Sequence, residues 1–421
     1  MASSSKRKRL VGVSALALAL VLSSCSSGNK ASTTPATTGS GGSTPAAKAT
    51  GSPIKVGMVC TCTGAGGFGA FDVPGRDMYQ AWADTVNAAG GLDGHPVQLI
   101  AKDDGGLPAN ALSDAQALVA DHVLAVVDIS VVDQTFASVL QQANIPVIGS
   151  EMNNLPFGTN PDFYPEGQTN NSAIQAVIET AKQAGATNLA NVYCAESPDC
   201  AQSVPAFKTV GQQLGLPVTY DAEISATAPN YTAQCLAAEQ QHITAIFIGD
   251  SSAVIAKFAS DCAQQNYQPI FVTEGAGFGS LELSAPGLKD HLWNEFPGLP
   301  YFANTPAVRA ANAAIDKYFP GERQNTTLWD QIDFMSWASG QVLADALKAG
   351  GLSAGVSPTA AQVVTGLDSL KGDTLGGLAV PLTYTAGQPH SVNCWFTTRV
   401  QNGVPSLVNG GKTTCASGAS A

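Results

Sequence analysis

Positive charge is scarce in this chain. Its 421 residues hold 20 Lys and Arg against 32 Asp and Glu, and the net charge is −12. Such a surface offers little to phosphate backbones or anionic headgroups, which argues against nucleic-acid and membrane-surface binding. Long apolar runs are missing after residue 22, so no later segment supplies the roughly 20 apolar residues a bilayer span requires. The five histidines (His95, His122, His242, His291 and His390) have no metal-ligand spacing. The cysteines form no C-x₂-C pair and no H-x₃₋₅-H accompanies them, which leaves a zinc-type site without ligands. No G-x-S-x-G elbow occurs. No catalytic constellation and no cofactor motif stands out, and the expectation is a protein that is not an enzyme.

What is present starts at the N terminus. Lys6-Arg7-Lys8-Arg9 precedes an uncharged run over residues 10–22, which leads into Leu22-Ser23-Ser24-Cys25. A basic head, a short apolar body and a small-residue cleavage site describe a secretory signal peptide. The Leu-Ser-Ser-Cys end resembles the bacterial lipobox. The expectation is therefore removal of residues 1–24 and lipid attachment at Cys25, with an ordinary signal peptide as the alternative. Loss of residues 1–24 removes four positive charges and takes the net charge from −12 to −16. Residues 26–53 hold no aromatic and no large aliphatic side chain. They cannot bury enough apolar surface to offset the entropy of ordering, so residues 25–53 are expected to be a flexible linker. The folded part then begins near Ile54, and its length of about 365 residues suits two domains.

Eight further cysteines (Cys60, Cys62, Cys194, Cys200, Cys235, Cys262, Cys394 and Cys415) fit an oxidising compartment and disulfide pairing. Sequence alone leaves the connectivity open. Local spacing favours Cys194–Cys200, Cys235–Cys262 and Cys394–Cys415, which leaves Cys60 and Cys62, two positions on one face of a strand.

From residue 54 onward, strand and helix patterns alternate. Strands are expected at residues 54–59, 97–102, 123–127 and 146–148, with helices at 74–89, 110–120 and 136–143. The pattern restarts with helices at 173–184, 206–214, 231–240 and 253–265 and strands at 189–194, 218–222, 245–248 and 269–272. A long helix over residues 331–349 follows, then extended segments at 377–382, 392–399 and 405–408. Alternation of this kind implies mostly parallel sheets covered on both faces. Gly64-Ala65-Gly66-Gly67-Phe68-Gly69 matches G-x-G-x-x-G. The dinucleotide reading fails on context, because Phe71 and Pro74 precede the helix and Asp103 and Asp104 lie too far downstream.

Several runs then carry a resemblance: Ile54-Lys55-Val56-Gly57, Thr63-Gly64, Asn87-Ala88-Ala89-Gly90-Gly91-Leu92-Asp93-Gly94, Asp103-Asp104 and Pro108-Ala109-Asn110-Ala111, with Asn144-Ile145-Pro146-Val147-Ile148 in support. Over residues 54–410 the chain resembles the type I periplasmic binding proteins, in the leucine/isoleucine/valine-binding branch that feeds ABC importers. That resemblance implies an α/β fold of two Rossmann-like lobes with parallel sheets, joined by a three-crossover hinge. Residues 54–168 with 302–378 would form one lobe and residues 169–301 with 379–415 the other. It also implies a monomer that hands a small-molecule ligand to permease and ATPase subunits. The protein would be exported and held to the outer face of the cytoplasmic membrane only by its lipid. A ligand-sensing receptor of the same fold is the alternative.

By order along the chain, the resemblance assigns ligand-binding positions to Phe68, Ser130, Glu151, Asn153, Asp199, Asp250 and Glu274. Glu274 matches the acid that pairs a ligand ammonium. Ser130, Glu151 and Asn153 fall where the ligand carboxylate is held, Phe68 is an aromatic wall, and Asp199 and Asp250 take aromatic positions. Other roles exist for some of them: helix caps or solvated acids for Asp199 and Asp250, a cap for Ser130, core packing for Phe68. Glu151 departs from the family, since a carboxylate there repels an amino acid's own carboxylate by about 4 kcal/mol at contact distance and an effective dielectric near 20. A cationic or neutral polar ligand is therefore expected in preference to branched-chain amino acids. A Cys194–Cys200 bridge would stiffen the loop that carries Asp199.

Overall fold

The computed structural model describes residues 48–63, 73–149, 155–196, 198–324 and 328–416. Cys25, Phe68, Glu151 and Asn153 lie outside the described residues, as does the structure of residues 1–47. The chain is fixed a little ahead of Ile54. The N–H groups of Thr50 and Gly51 donate to the Gly94 carbonyl at 3.1 and 2.9 Å, and His95 Nδ1 meets the Ser52 carbonyl at 2.8 Å.

The first sheet contains β1 (Ile54–Cys60), β2 (Val97–Asp103), β3 (Ala125–Ile129), β4 (Val147–Gly149) and β5 (Phe163–Pro165), all parallel, in the order β2-β1-β3-β4-β5. Helices α1 (Val73–Ala88), α2 (Pro108–Ala120), α3 (Ala137–Gln142) and α4 (Leu155–Thr159) connect them. Strands β1, β3, β4 and β5 are buried on both faces, and β1 and β3 read as largely apolar runs, while the edge strand β2 is partly exposed. Val56, Met58, Ala125 and Val127 pack into one core, and their alternates Val59 and Val126 join Leu118, Leu140 and Phe157 on the other face.

The second half begins with α5 (Asn170–Gln183), β6 (Leu189–Cys194), α6 (Pro198–Gln202), α7 (Val204–Leu214), β7 (Val218–Ile224) and α8 (Thr232–Gln240). It continues through β8 (Ala245–Gly249), α9 (Ser252–Gln264), β9 (Ile270–Glu274), α10 (Ser280–Ser284) and β10 (Leu292–Phe296). Then come α11 (Pro306–Tyr318), α12 (Gln331–Ala349), α13 (Ala360–Ser369), β11 (Lys371–Asp373), β12 (Leu382–Thr383), β13 (Cys394–Gln401), β14 (Val404–Leu407) and β15 (Thr414–Cys415). The second sheet runs β14-β13-β10-β9-β8-β6-β7. It is parallel from β7 to β10, with β13 and β14 added antiparallel.

The returning helices α11 and α12 pack back against α1, and α13 packs on α12, which completes the first lobe. Gly340 of α12 makes this close approach possible, since a Cβ there would lie 2.3 Å from Trp82 Cδ2. An Asp330–Asp333 capping box starts α12. The chain crosses between the lobes at residues 166–169, 297–305 and 384–393. The second and third crossings are bonded to their neighbours: Leu299 N–H to the Leu378 carbonyl (2.7 Å), Tyr384 O–H to the Pro165 carbonyl (2.8 Å), and Ser172 O–H to the Val392 carbonyl (2.7 Å). Four disulfides join Cys60–Cys62, Cys194–Cys200, Cys235–Cys262 and Cys394–Cys415.

Two sequence expectations shift. Strand β3 ends at Ile129, which puts Ser130 directly at the sheet edge. Residues 377–382 are largely not extended. Gly376 and Gly377 take positive φ in a tight turn, and only Leu382 enters a strand.

Candidate functional site

In an open parallel sheet, ligands bind off the carboxyl ends of the strands where the strand order reverses. In the first lobe that point lies between β1 and β3, and in the second between β6 and β8. The residues at these two switch points are Thr61 and Ser130 in the first lobe, and Ala195, Glu196 and Asp250 in the second.

The first edge is organised by Asp104, which follows β2 and is fully buried. Its Oδ1 accepts from Thr61 Oγ1 (3.0 Å) and the Gly106 N–H (2.7 Å), and its Oδ2 accepts from Ser130 Oγ (2.5 Å). Thr61 Oγ1 in turn accepts from the Val131 N–H at 3.2 Å, and Ser130 Oγ from the Val132 N–H at 3.1 Å. Asp103 accepts from the Thr63 N–H and hydroxyl at 3.0 and 2.7 Å, which anchors the loop after β1. Ser130 thus donates its hydroxyl proton into the sheet edge.

The second edge differs. Asp250, after β8, accepts from the Ser251 N–H at 2.7 Å through Oδ1, and its Oδ2 is buried without a partner. Burial raises the Asp250 pKa, and the negative charge of Glu196 adds to the rise. Burial also pushes the Glu196 pKa up, but bonds from the Ala226 N–H and the Ser225 hydroxyl, both 2.8 Å, outweigh it and leave it lowered. The backbone of Asp199 lies in α6, beside the Cys194–Cys200 bridge at the end of β6.

Glu274 is the last residue of β9 and half-buried, and it pairs in register with Glu295 of β10. Glu295 is fully buried and accepts a hydrogen bond from Gln168 Nε2. Burial, and then the charge of Glu274, hold the Glu295 pKa well above the usual carboxylate range.

Sequence reasoning missed Trp329, Asp330, Ser252, Ser280 and Glu282. Trp329, on the approach to α12, is 5% exposed, stacks edge-on against Tyr301 at 6.2 Å, and leaves its Nε1 without a partner. The Asp-x-x-Asp spacing before an apolar run was the available signal for Asp330. Burial raises its pKa to about 7, and burial and the Asp330 charge hold that of Asp333 well above the usual carboxylate range. Among the described residues no cluster of His, Cys, Asp and Glu has metal-binding geometry, and no helix is long and apolar enough to cross a membrane.

Two α/β lobes, three crossings and facing strand ends define a type I periplasmic binding fold. The model of the family described as "Periplasmic binding protein" matches residues 53–405, and the chain belongs to that family. It is a family of extracytoplasmic solute-binding proteins rather than enzymes. No curated protein matches the chain at a significant level. Among solved structures, a branched-chain amino acid ABC transporter protein from Thermus thermophilus with bound valine is 14% identical, with TM-score 0.74 over 87% of this chain and 98% of that one. A fatty acid ABC transporter substrate-binding protein from Thermomonospora curvata is 16% identical, with TM-score 0.69 over 88% and 95%. LivJ from Streptococcus pneumoniae in complex with isoleucine is 16% identical, with TM-score 0.66 over 85% and 99%. At these identities the likeness is one of fold.

Proposed function

We propose that this chain is a lipid-anchored solute-binding protein that delivers a small polar ligand, carrying an amine or amide group, to the permease and ATPase of an ABC importer. Cys25 carries the lipid in this reading, and the protein works as a monomer on the outer face of the cytoplasmic membrane. The observation that carries the ligand class is the half-buried Glu274 at the end of β9, in register with Glu295, whose pKa burial holds well above the usual carboxylate range. The unpartnered Oδ2 of Asp250 adds a second acceptor at the same edge. Glu151, Asn153 and Phe68 join the site by their order in the sequence, as does Asp199. Ser130 holds the first edge in shape, through Asp104, for whatever occupies the cleft. The related structures named above are described with ligands as different as valine and a fatty acid, so the ligand does not follow from the fold.

Native mass spectrometry of the purified protein identifies a co-purifying small molecule, and calorimetry with leucine, isoleucine, valine and simple amines ranks the classes. Glu274→Gln is expected to weaken amine binding by about tenfold or more, the loss of one charged contact. Micromolar binding of a branched-chain amino acid would sink the amine preference while leaving the binding role intact.

A further inference from the structure

A cavity of about 570 Å³ lies beside the second crossing, and none of the ligand positions named above lines it. Its wall joins segments far apart in sequence. Leu299 comes from the crossing itself, Thr305 from the cap of α11 and Ala379 from the turn before β12. Phe396 comes from β13, and Lys412 and Thr413 from the approach to β15. The Leu299 N–H donates to the Leu378 carbonyl at 2.7 Å and Gly298 bridges Ala379, so the crossing and the turn make one continuous wall. Phe396 pairs in register with Phe296, the residue after Glu295. Successive strand positions face opposite sides of a sheet, which puts the Phe396 side chain on the other face from Glu274 and Glu295.

We propose that this cavity is a second binding site, separate from the cleft, for a small carboxylate with an alkyl body. Its volume falls within the roughly 300–1,000 Å³ of small-molecule sites. Leu299, Ala379 and Phe396 give it apolar walls that suit an alkyl chain. Lys412 is the one charged residue of the lining, is exposed, and forms no salt bridge among the described residues. No Asp or Glu lines the cavity to engage Lys412 or to repel an anion. The Thr305 hydroxyl accepts the Val308 N–H at 3.2 Å and keeps its own proton to donate. A chain of net charge −12 repels anions at large, so a local cation beside hydroxyl donors is what an anionic ligand requires. An amine, the ligand class proposed for the cleft, finds no carboxylate here. Thr305 caps a first-lobe helix and Phe396 lies in the second sheet, so an occupant touches both lobes.

Calorimetry on the whole purified protein at low salt, with octanoate and with octan-1-ol as its uncharged counterpart, tests this. Wild type is expected to bind octanoate about threefold more tightly than octan-1-ol, the margin of an exposed charge pair. Lys412→Gln is expected to lose that margin and keep its octan-1-ol affinity. Thr413→Trp, which fills the cavity, is expected to weaken both by about tenfold or more. Glu274→Gln, in the cleft, is expected to change neither. No octanoate binding to wild type, or an unchanged octanoate affinity in Thr413→Trp, overturns the site. Equal octanoate affinity in wild type and Lys412→Gln overturns the carboxylate class. Weakening by Glu274→Gln alone places octanoate in the cleft and overturns the second site. Ala379→Leu serves if Thr413→Trp does not fold: weakened octanoate binding supports the site, and unchanged binding counts against it.

Discussion

The two strand-end edges that flank the cleft are built on opposite plans. In the first lobe a single buried carboxylate, Asp104, gathers donors from Thr61, Gly106 and Ser130, and the hydroxyls it binds accept backbone N–H groups in turn. In the second lobe, Asp250 Oδ2 and Ser280 Oγ lie buried and unpartnered, and the fully buried Glu282 draws only on the Ser252 hydroxyl and the Gly279 N–H. Buried polar groups normally find partners, so a saturated edge reads as scaffold and an unsaturated one as a place that waits for donors. On the function proposed above, the same carboxylate chemistry serves shape in one lobe and recognition in the other.

The contrast can be broken by removing its members in turn. Asp104→Ala strands three donors at once and should destabilise the protein by about 3 kcal/mol or more, read by urea denaturation. A much smaller loss would mean that the first edge is no more a scaffold than the second.

The α12 start sharpens the contrast through pH. Burial raises the Asp330 pKa from 3.8 in the unfolded chain to about 7 in the fold. The folded state then binds this proton more tightly than the unfolded one, so the contribution is complete below about pH 4 and is lost as pH rises towards 7. Stability should therefore increase on acidification from pH 7.5 to 5, by roughly 2 kcal/mol from this group. Asp330→Asn, which keeps the cap acceptor, should flatten that part of the pH profile. A profile identical to wild type would remove Asp330 as its source.

The smallest effect is expected at Glu295. Burial holds the Glu295 pKa well above the usual carboxylate range, and Glu295→Gln is expected to change stability near pH 7 by no more than about 1 kcal/mol. Removing the Gln168 partner should also alter domain closure more than folding, measured by small-angle scattering with and without ligand. A large destabilisation by Glu295→Gln would instead show that the carboxylate is ionised there.

Much of this architecture was legible in the chain. Helix α12 and strand β6 fall at their expected residues. Strand β10 was not read: Asn294 and Glu295 are buried in its middle, which defeats an apolar pattern. Asp250 and Glu274 stood out through the family resemblance, by their order along the chain, and in the structure they follow and end β8 and β9. Glu282, Ser252 and Trp329 did not, since segments distant in sequence assemble around Gly279 only in the fold. Ser130 was found at the right edge, but its bond to Asp104 depends on where β2 ends beside β1 and β3.

The clasp at Thr50 and Gly51 has a mechanical consequence. The chain enters the fold beside the Gly94–His95 turn, next to the amino ends of β1 and β2, where Ile54 also bonds to Pro96. Any pull along the upstream chain is taken up there, by a short-range knot of backbone bonds and the His95 ring. The strand ends that meet the ligand lie at the other end of the same sheet. A mooring line fastened to the stern leaves the bow free to open and close.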